Sequence, residues 1–137
     1  MPNRLALRFD TETRTFRAVR RFVRDLVRIH GGSEEDAVAL EIATGELLSN
    51  AYEHAYARQS GPLEIDLLYD EAKIELTIHD DGEPITDSPA IPTTPPSGER
   101  GRGLYLVGQL TDESQVIHPW NDPRGIGVRI VKYLQRS

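Results

Sequence analysis

The chain has 137 residues and a formal net charge of −6, from sixteen Lys plus Arg and twenty-two Asp plus Glu. That length suits one domain over residues 1–137, leaves little room for a second, and allows roughly two-thirds of the unfolded surface to be buried. There is no Cys, which excludes a disulfide scaffold, a thiolate metal site and a cysteine nucleophile.

Leu5, Leu7 and Phe9 alternate with other types and predict a first strand over 4–9. From Thr13 to Ile29, Phe16, Val19, Phe22, Val23, Leu26 and Val27 form one helical stripe, with Arg17, Arg20, Arg21, Arg24 and Arg28 elsewhere on the surface. Gly31-Gly32 stops that helix, and Ser33 with Asp36 resembles a capping box for the next. The second helix is expected over Glu34–Ala57, and its apolar run (Val38, Leu40, Ile42, Leu47, Leu48, Ala51, Ala55) predicts burial on most sides. Gly61-Pro62 breaks the chain. Leu63, Ile65, Leu67 and Tyr69, then Ile74, Leu76 and Ile78, alternate around an Asp70-Glu71-Ala72 turn, the pattern of a β-hairpin with one buried face. Residues 83–100 hold five of the nine prolines and fit no regular element. So long a stretch inside a compact domain reads as a functional lid or a disordered segment. A short helix over Leu104–Leu110 follows, then strands over Ser114–His118 and Val128–Leu134 around a turn at 121–125. The order β-α-α-β-β-lid-α-β-β predicts an α+β fold, a two-layer sandwich with a mostly antiparallel mixed sheet and its helices on one face.

Charge is unevenly spread. Residues 1–30 hold eight Arg and three acids, while the remainder is strongly acidic. This Arg cluster is either the solvated face of a helix or a docking surface for an acidic protein. The acidic whole and the lack of interleaved aromatics argue against direct nucleic-acid binding. No apolar run approaches the roughly twenty residues that cross a bilayer, and MPNRLALRFD has no apolar h-region. The expectation is therefore a cytoplasmic protein without membrane association.

Three constellations could carry chemistry. In EIATGELLSNAYEHAY, residues 41–56, Glu46 and Asn50 share one helical face and Glu53 and His54 follow one turn on. This is either the polar stripe of a buried helix or one wall of a cleft. In a cleft, a carboxylate and an amide are hard oxygen ligands suited to Mg²⁺, and the carboxylate could instead take a proton from a hydroxyl. In IHDDGEP, residues 78–84, Asp80 closes a strand and Gly82 permits either a plain turn or a close ligand approach. In SGERGRGLYLVGQL, residues 97–110, Gly101 and Gly103 precede a helix beside Arg100 and Arg102. That is a hinge or a phosphate site, and it lacks the features of a Walker loop or a dinucleotide fingerprint.

The order of these signals resembles the Bergerat ATP-binding fold of gyrase-type ATPases, Hsp90, MutL and histidine kinases. Within it, ELLSNAYEHAY and GRGLYLV make the chain most similar to the small bacterial anti-sigma-factor serine/threonine kinases, from the first strand to Leu134. The resemblance implies ATP and Mg²⁺ as cofactors. It makes Asn50 the Mg²⁺ ligand, Glu46 the base for the attacking hydroxyl, and Asp80 the acceptor for the adenine amino group, with Gly82 letting the base lie close. Gly101, Arg102 and Gly103, with Leu104 following, would wrap the phosphates, and His54 would support the phosphate side. It also implies a STAS-type anti-sigma-factor antagonist as substrate, a sigma factor as second partner, and a tendency to form homodimers. Two positions depart from the family pattern. Pro84, after Glu83, replaces the second glycine of the adenine motif, removing an amide donor and stiffening the lid's entrance. Gly125-Ile126-Gly127-Val128 stands where members often place a Thr before the last strand. The alternatives are a nucleotide-gated binding module without transfer, the catalytic half of a histidine kinase, and a metal-independent hydrolase using Glu46 and His54.

Overall fold

A computed structural model of the chain describes residues 2–57, 59–81, 90–97, 101–117 and 127–135, the side chains of His54 and Ala55 excepted. Strand β1 (Asn3–Asp10) alternates as predicted, with Leu5, Leu7 and Phe9 half-buried. Helix α1 (Thr13–Ile29) buries Phe16, Val19, Val23, Leu26 and Val27 and leaves Phe22 at the surface. It ends because Gly31 takes a left-handed conformation (φ 82°). The Gly31 N–H then reaches the Arg28 carbonyl at 3.1 Å and the Gly32 N–H the Val27 carbonyl at 2.9 Å, a Schellman closure that a β-carbon at Gly31 would strain.

Helix α2 (Glu34–Asn50) starts where the Ser33 hydroxyl accepts the Asp36 N–H at 3.1 Å. The reciprocal half of the capping box is absent. Instead the Asp36 carboxylate, almost fully buried, accepts the Gln135 N–H at 2.6 Å and lies 3.8 Å from Lys132 Nζ. The predicted helix over Glu34–Ala57 does not run through as one α-helix: Ala51–Ala55 form a π-helical turn, in which the Tyr56 N–H bonds to the Ala51 carbonyl at 3.2 Å. Helix α2 is buried on most sides, as expected, lying between α1 and α3 over the sheet. Its one open side carries Val38 and Ile42, opposite the inward ridge of Leu40, Thr44 and Leu47, at 43% and 40% exposure.

Strands β2 (Pro62–Tyr69) and β3 (Lys73–Asp80) form the hairpin, whose turn is fixed by Asp70 Oδ1 accepting the Ala72 and Lys73 N–H groups at 2.8 and 3.0 Å. Those two bonds hold the Asp70 carboxyl below its usual range. Helix α3 (Arg102–Leu110) begins two residues before the predicted Leu104, and β4 (Glu113–Ile117) and β5 (Gly127–Tyr133) complete the fold. The predicted turn at 121–125 lies outside the described residues. The sheet order is β1-β2-β3-β5-β4 with every neighbouring pair antiparallel, so the sheet is uniform among the described residues, not mixed.

Register explains the core. Leu7, Ile65, Ile78, Val128 and Val116 form one row across all five strands, and Leu5, Leu67, Leu76 and Ile130 the next. Most of these, with the inward ridges of the three helices, make a single apolar cluster. The other face carries charges: Arg4 meets Asp66 at 3.3 Å, and Arg129 pairs with Glu75 and approaches Glu113 at 3.7 Å. The exposed Arg4 pair adds little stability.

Asp36 joins the start of α2 to the end of β5, and its loss removes the acceptor of the Gln135 N–H and one of the two carboxylates beside Lys132. Asp36→Ala is expected to lower unfolding free energy by about 1.5–3 kcal/mol, read by urea denaturation as a lower midpoint at an unchanged slope.

Candidate functional site

Two ends of α2 do different work: its first turn is locked to β5, and its last turn faces α3. Glu46 and Asn50 lie one turn apart there, both half-buried. Gly101 caps α3 in a left-handed conformation (φ 83°) and offers no side chain to the first-turn amides. An added β-carbon at Gly103 would lie 2.8 Å from Glu46 Oε2. The carboxylate of Glu46 thus lies against the first turn of α3, where the helix dipole favours an anion. Two motifs 55 residues apart, at Glu46 and Gly101, meet at one place.

The proline-rich segment covers the far side of α3. Residues 90–97 form no helix or strand, as predicted. Pro92 and Pro96 side chains would be 3.7 and 3.5 Å from a β-carbon at Gly101, and Ile91 Cγ2 would be 2.9 Å from one at Gly108. This stretch is therefore docked along the helix, through Ile91 packed on the core. The rest of the predicted lid, 83–89 and 98–100, lies outside the described residues, as do Gly82, Pro84 and Arg100.

Asp80 ends β3 on the buried face, opposite Leu63, and is 4% exposed. The next residue, Asp81, donates its N–H to the Tyr56 hydroxyl at 2.7 Å, and that hydroxyl donates to the Pro62 carbonyl at 2.6 Å. Burial raises the Tyr56 phenol above its ordinary value, the Asp81 N–H opposes this, and the Asp80 and Asp81 charges add to the rise. Sequence reasoning did not single out Tyr56. The signal available was Gly61, a glycine just before the strand that receives the phenol.

The remaining predicted residues fall as follows. His54 is in the π-helical turn, with its side chain outside the described part. Arg102 is exposed at the first position of α3, and the Leu104 side chain packs on the core, so Leu104 can offer the site only its backbone. Gly127 pairs with His79 across β3 and β5, and an added β-carbon would be 2.9 Å from His79 Nδ1, the physical reason for glycine there. The Arg cluster divides. Arg24 reaches Glu41 at 2.8 Å, Arg28 pairs with Glu34, and the Arg20 stem lies over Gly45, all between α1 and α2. Arg14, Arg17 and Arg21 remain exposed.

The chain belongs to the histidine kinase-like ATPase domain family, whose model matches residues 9–132. It is similar to proteins named serine-protein kinase RsbW: 28% identical over 116 residues to that of Bacillus mycoides (strain KBAB4) and 29% over 119 residues to that of Bacillus thuringiensis (strain Al Hakam), covering 78% of this chain and 70% of each relative. Among solved structures, the RsbU and RsbW domains of a Mycobacterium tuberculosis protein superpose with a TM-score of 0.68 at 18% identity, over 98% of this chain and 32% of that one. The chain thus spans about a third of that protein. The catalytic domain of histidine kinase ThkA superposes at 0.60 and 13% identity, over 97% of this chain and 99% of that one. At these identities the structures establish the fold, that of the family's ATPase domains.

Two glycines of the α3 start should respond differently to alanine. Gly101→Ala forces a side chain into a left-handed backbone and is expected to cost about 1–2 kcal/mol. Gly103→Ala meets only the end of the Glu46 side chain, so stability should hold while that carboxylate turns away. Thermal melts check the first, and a crystal structure of the Gly103 variant the second.

Proposed function

We propose that the chain is an ATP-dependent serine/threonine protein kinase and anti-sigma factor that phosphorylates a STAS-type anti-sigma-factor antagonist. The observation that carries this reading is the Glu46 carboxylate lying at the first turn of α3. A proton acceptor and an anion-favouring helix start lie side by side, one helical turn from an amide oxygen ligand. The residues fit the nucleotide. Asp80 is buried at the end of β3 and would accept from the adenine amino group, and the amides around Gly101, Arg102, Gly103 and Leu104 would receive phosphate oxygens. Among the described residues no group of three or more His, Asp or Glu could hold a metal, so Asn50 would share Mg²⁺ with the phosphates and water. Bound Mg-ATP supplies the phosphoryl group and the cation that offsets its charge. Glu46 would receive the proton of the substrate hydroxyl at its carboxylate. His54, at the end of the same helix, would support the phosphate side.

The relatives named serine-protein kinase support transfer to serine. The exposed Arg14, Arg17 and Arg21, in a stretch with eight Arg and three acids, support docking of an acidic protein, the antagonist or a sigma factor. A homodimer is part of the same reading. Among the described residues no helix is long and apolar enough to cross a membrane, which is compatible with action in the cytoplasm. The glycine at 127, close against His79, favours a second reading. It offers a nucleotide no side-chain contact, as a nucleotide-gated binding module without transfer would tolerate.

Three substitutions separate these readings. Glu46→Gln keeps shape and removes proton acceptance, so transfer should fall roughly 10²–10⁴-fold with ATP affinity little changed. Asn50→Ala should lower both. Asp80→Asn should weaken ATP about ten- to a hundredfold, and the parent should discriminate against GTP, whose carbonyl would face Asp80. Phosphoryl transfer to the antagonist, calorimetry with each nucleotide, and melting temperature are the measurements. Parental transfer by Glu46→Gln would overturn the kinase reading.

A further inference from the structure

We infer that Tyr56 is a positioning residue for nucleotide recognition, its hydroxyl fixing the end of the strand that carries Asp80 against the end of the helix that carries Asn50. The inference rests on the adenine reading of Asp80 given above and concerns what holds that residue in place.

Strand β3 and its pairing end at Asp80. The Asp81 N–H has left the sheet, and the Tyr56 hydroxyl receives it at 2.7 Å. The hydroxyl's one proton goes to the Pro62 carbonyl at 2.6 Å, which leaves its lone pairs for Asp81. A phenol used as donor and acceptor at once is held in both directions. The side chain reaches this point because of the π-helical turn, which adds a residue before Tyr56 and changes the direction it faces. Its ring lies over Gly61, where an added β-carbon would be 2.6 Å from Tyr56 Cζ and closer still to Cδ1 and Cε1. Gly61 is pinned in turn by buried Thr11: the Gly61 N–H donates to Thr11 Oγ1 and the Thr11 N–H to the Gly61 carbonyl, both at 2.8 Å. Thr11 Oγ1 also donates to the Gln59 carbonyl at 3.1 Å. The phenol therefore joins the α2 end, the β2 start and the β3 end through groups that are themselves fixed. An Asp80 acceptor and an Asn50 ligand can meet one nucleotide at once only if the distance between them is held, and Tyr56 ties together the elements that carry them.

A double-mutant cycle tests this, because a group acting through Asp80 couples to it and a merely structural group adds independently. ATP affinity is measured by NMR titration, which reads weak binding, for the parent, Tyr56→Phe, Asp80→Asn and the pair, with melting temperature for each. Tyr56→Phe is expected to weaken ATP about five- to tenfold in the parent and to have almost no effect once Asp80 is Asn. Gly61→Ala, which keeps the hydroxyl but displaces the ring, should give the same pattern and carries the test should Tyr56→Phe unfold. Equal losses in both backgrounds, or no loss in either, beside a normal Asp80→Asn effect would overturn this inference alone. Equal ATP affinity in the parent and Asp80→Asn would overturn the adenine reading and this inference with it.

Discussion

The site depends on how α2 meets α3. Helix α2 fills the middle of the helical layer, with buried Leu40, Leu47 and Leu48 among the largest core side chains. A half-buried carboxylate on such a helix is favoured where a neighbour leaves room for it and offers it positive potential. The start of α3 does so at Gly103, which has no β-carbon to keep Glu46 away. Its cap, Gly101, leaves the first-turn amides without a side-chain cap. Under the proposed reading those uncapped amides, not the Glu46 contact itself, would receive the phosphates. Packing and chemistry are thus set by one close approach between two helices.

Around that approach the sheet acts as a frame. The two ends of α2 are each bound to it by a polar group. Asp36 is bonded at Gln135 just beyond β5, and Tyr56, past the π-helical turn, is bonded at Pro62 and Asp81. The apolar rows between them resist sliding, because a one-residue slip would turn Ile65, Leu67, Leu76 and Ile78 outward together. A helix clamped at both ends over a fixed register keeps Asn50 and Asp80 in a constant relation, as recognition of a nucleotide requires. The family match over residues 9–132 spans most of this frame, from the end of β1 almost to the end of β5.

Much of this could be read from the sequence, where local pattern and tertiary role agree. The α1 limits, Thr13–Ile29, follow from its apolar stripe and the Gly31-Gly32 stop. The hairpin follows from strict alternation around Asp70. Glu46, Asn50 and Asp80 stood out as polar groups at the ends of apolar elements. What the sequence did not convey was decided by contacts between distant segments. Nothing local distinguishes a π-helical turn at Ala51–Ala55 from continued α-helix, since the extra residue serves the Tyr56 bond to Asp81, 25 residues on. The Arg residues of α1 looked alike in sequence. Only the fold separates Arg24, which meets Glu41, from exposed Arg17. The exposure of Val38 and Ile42 was hidden for a similar reason, because an apolar run on a helix does not state which of its sides has a neighbour.

Under the proposed function, Asp80, Asn50 and the start of α3 together form one nucleotide site. The most direct measurement is a crystal structure of the chain with Mg²⁺ and a non-hydrolysable ATP analogue. The adenine amino group is expected on the Asp80 carboxylate, Mg²⁺ on the Asn50 amide oxygen, and phosphate oxygens on the amides from Gly101 to Leu104, with Glu46 beside the terminal phosphate. A nucleotide bound elsewhere, or bound here with its adenine away from Asp80, would contradict that reading.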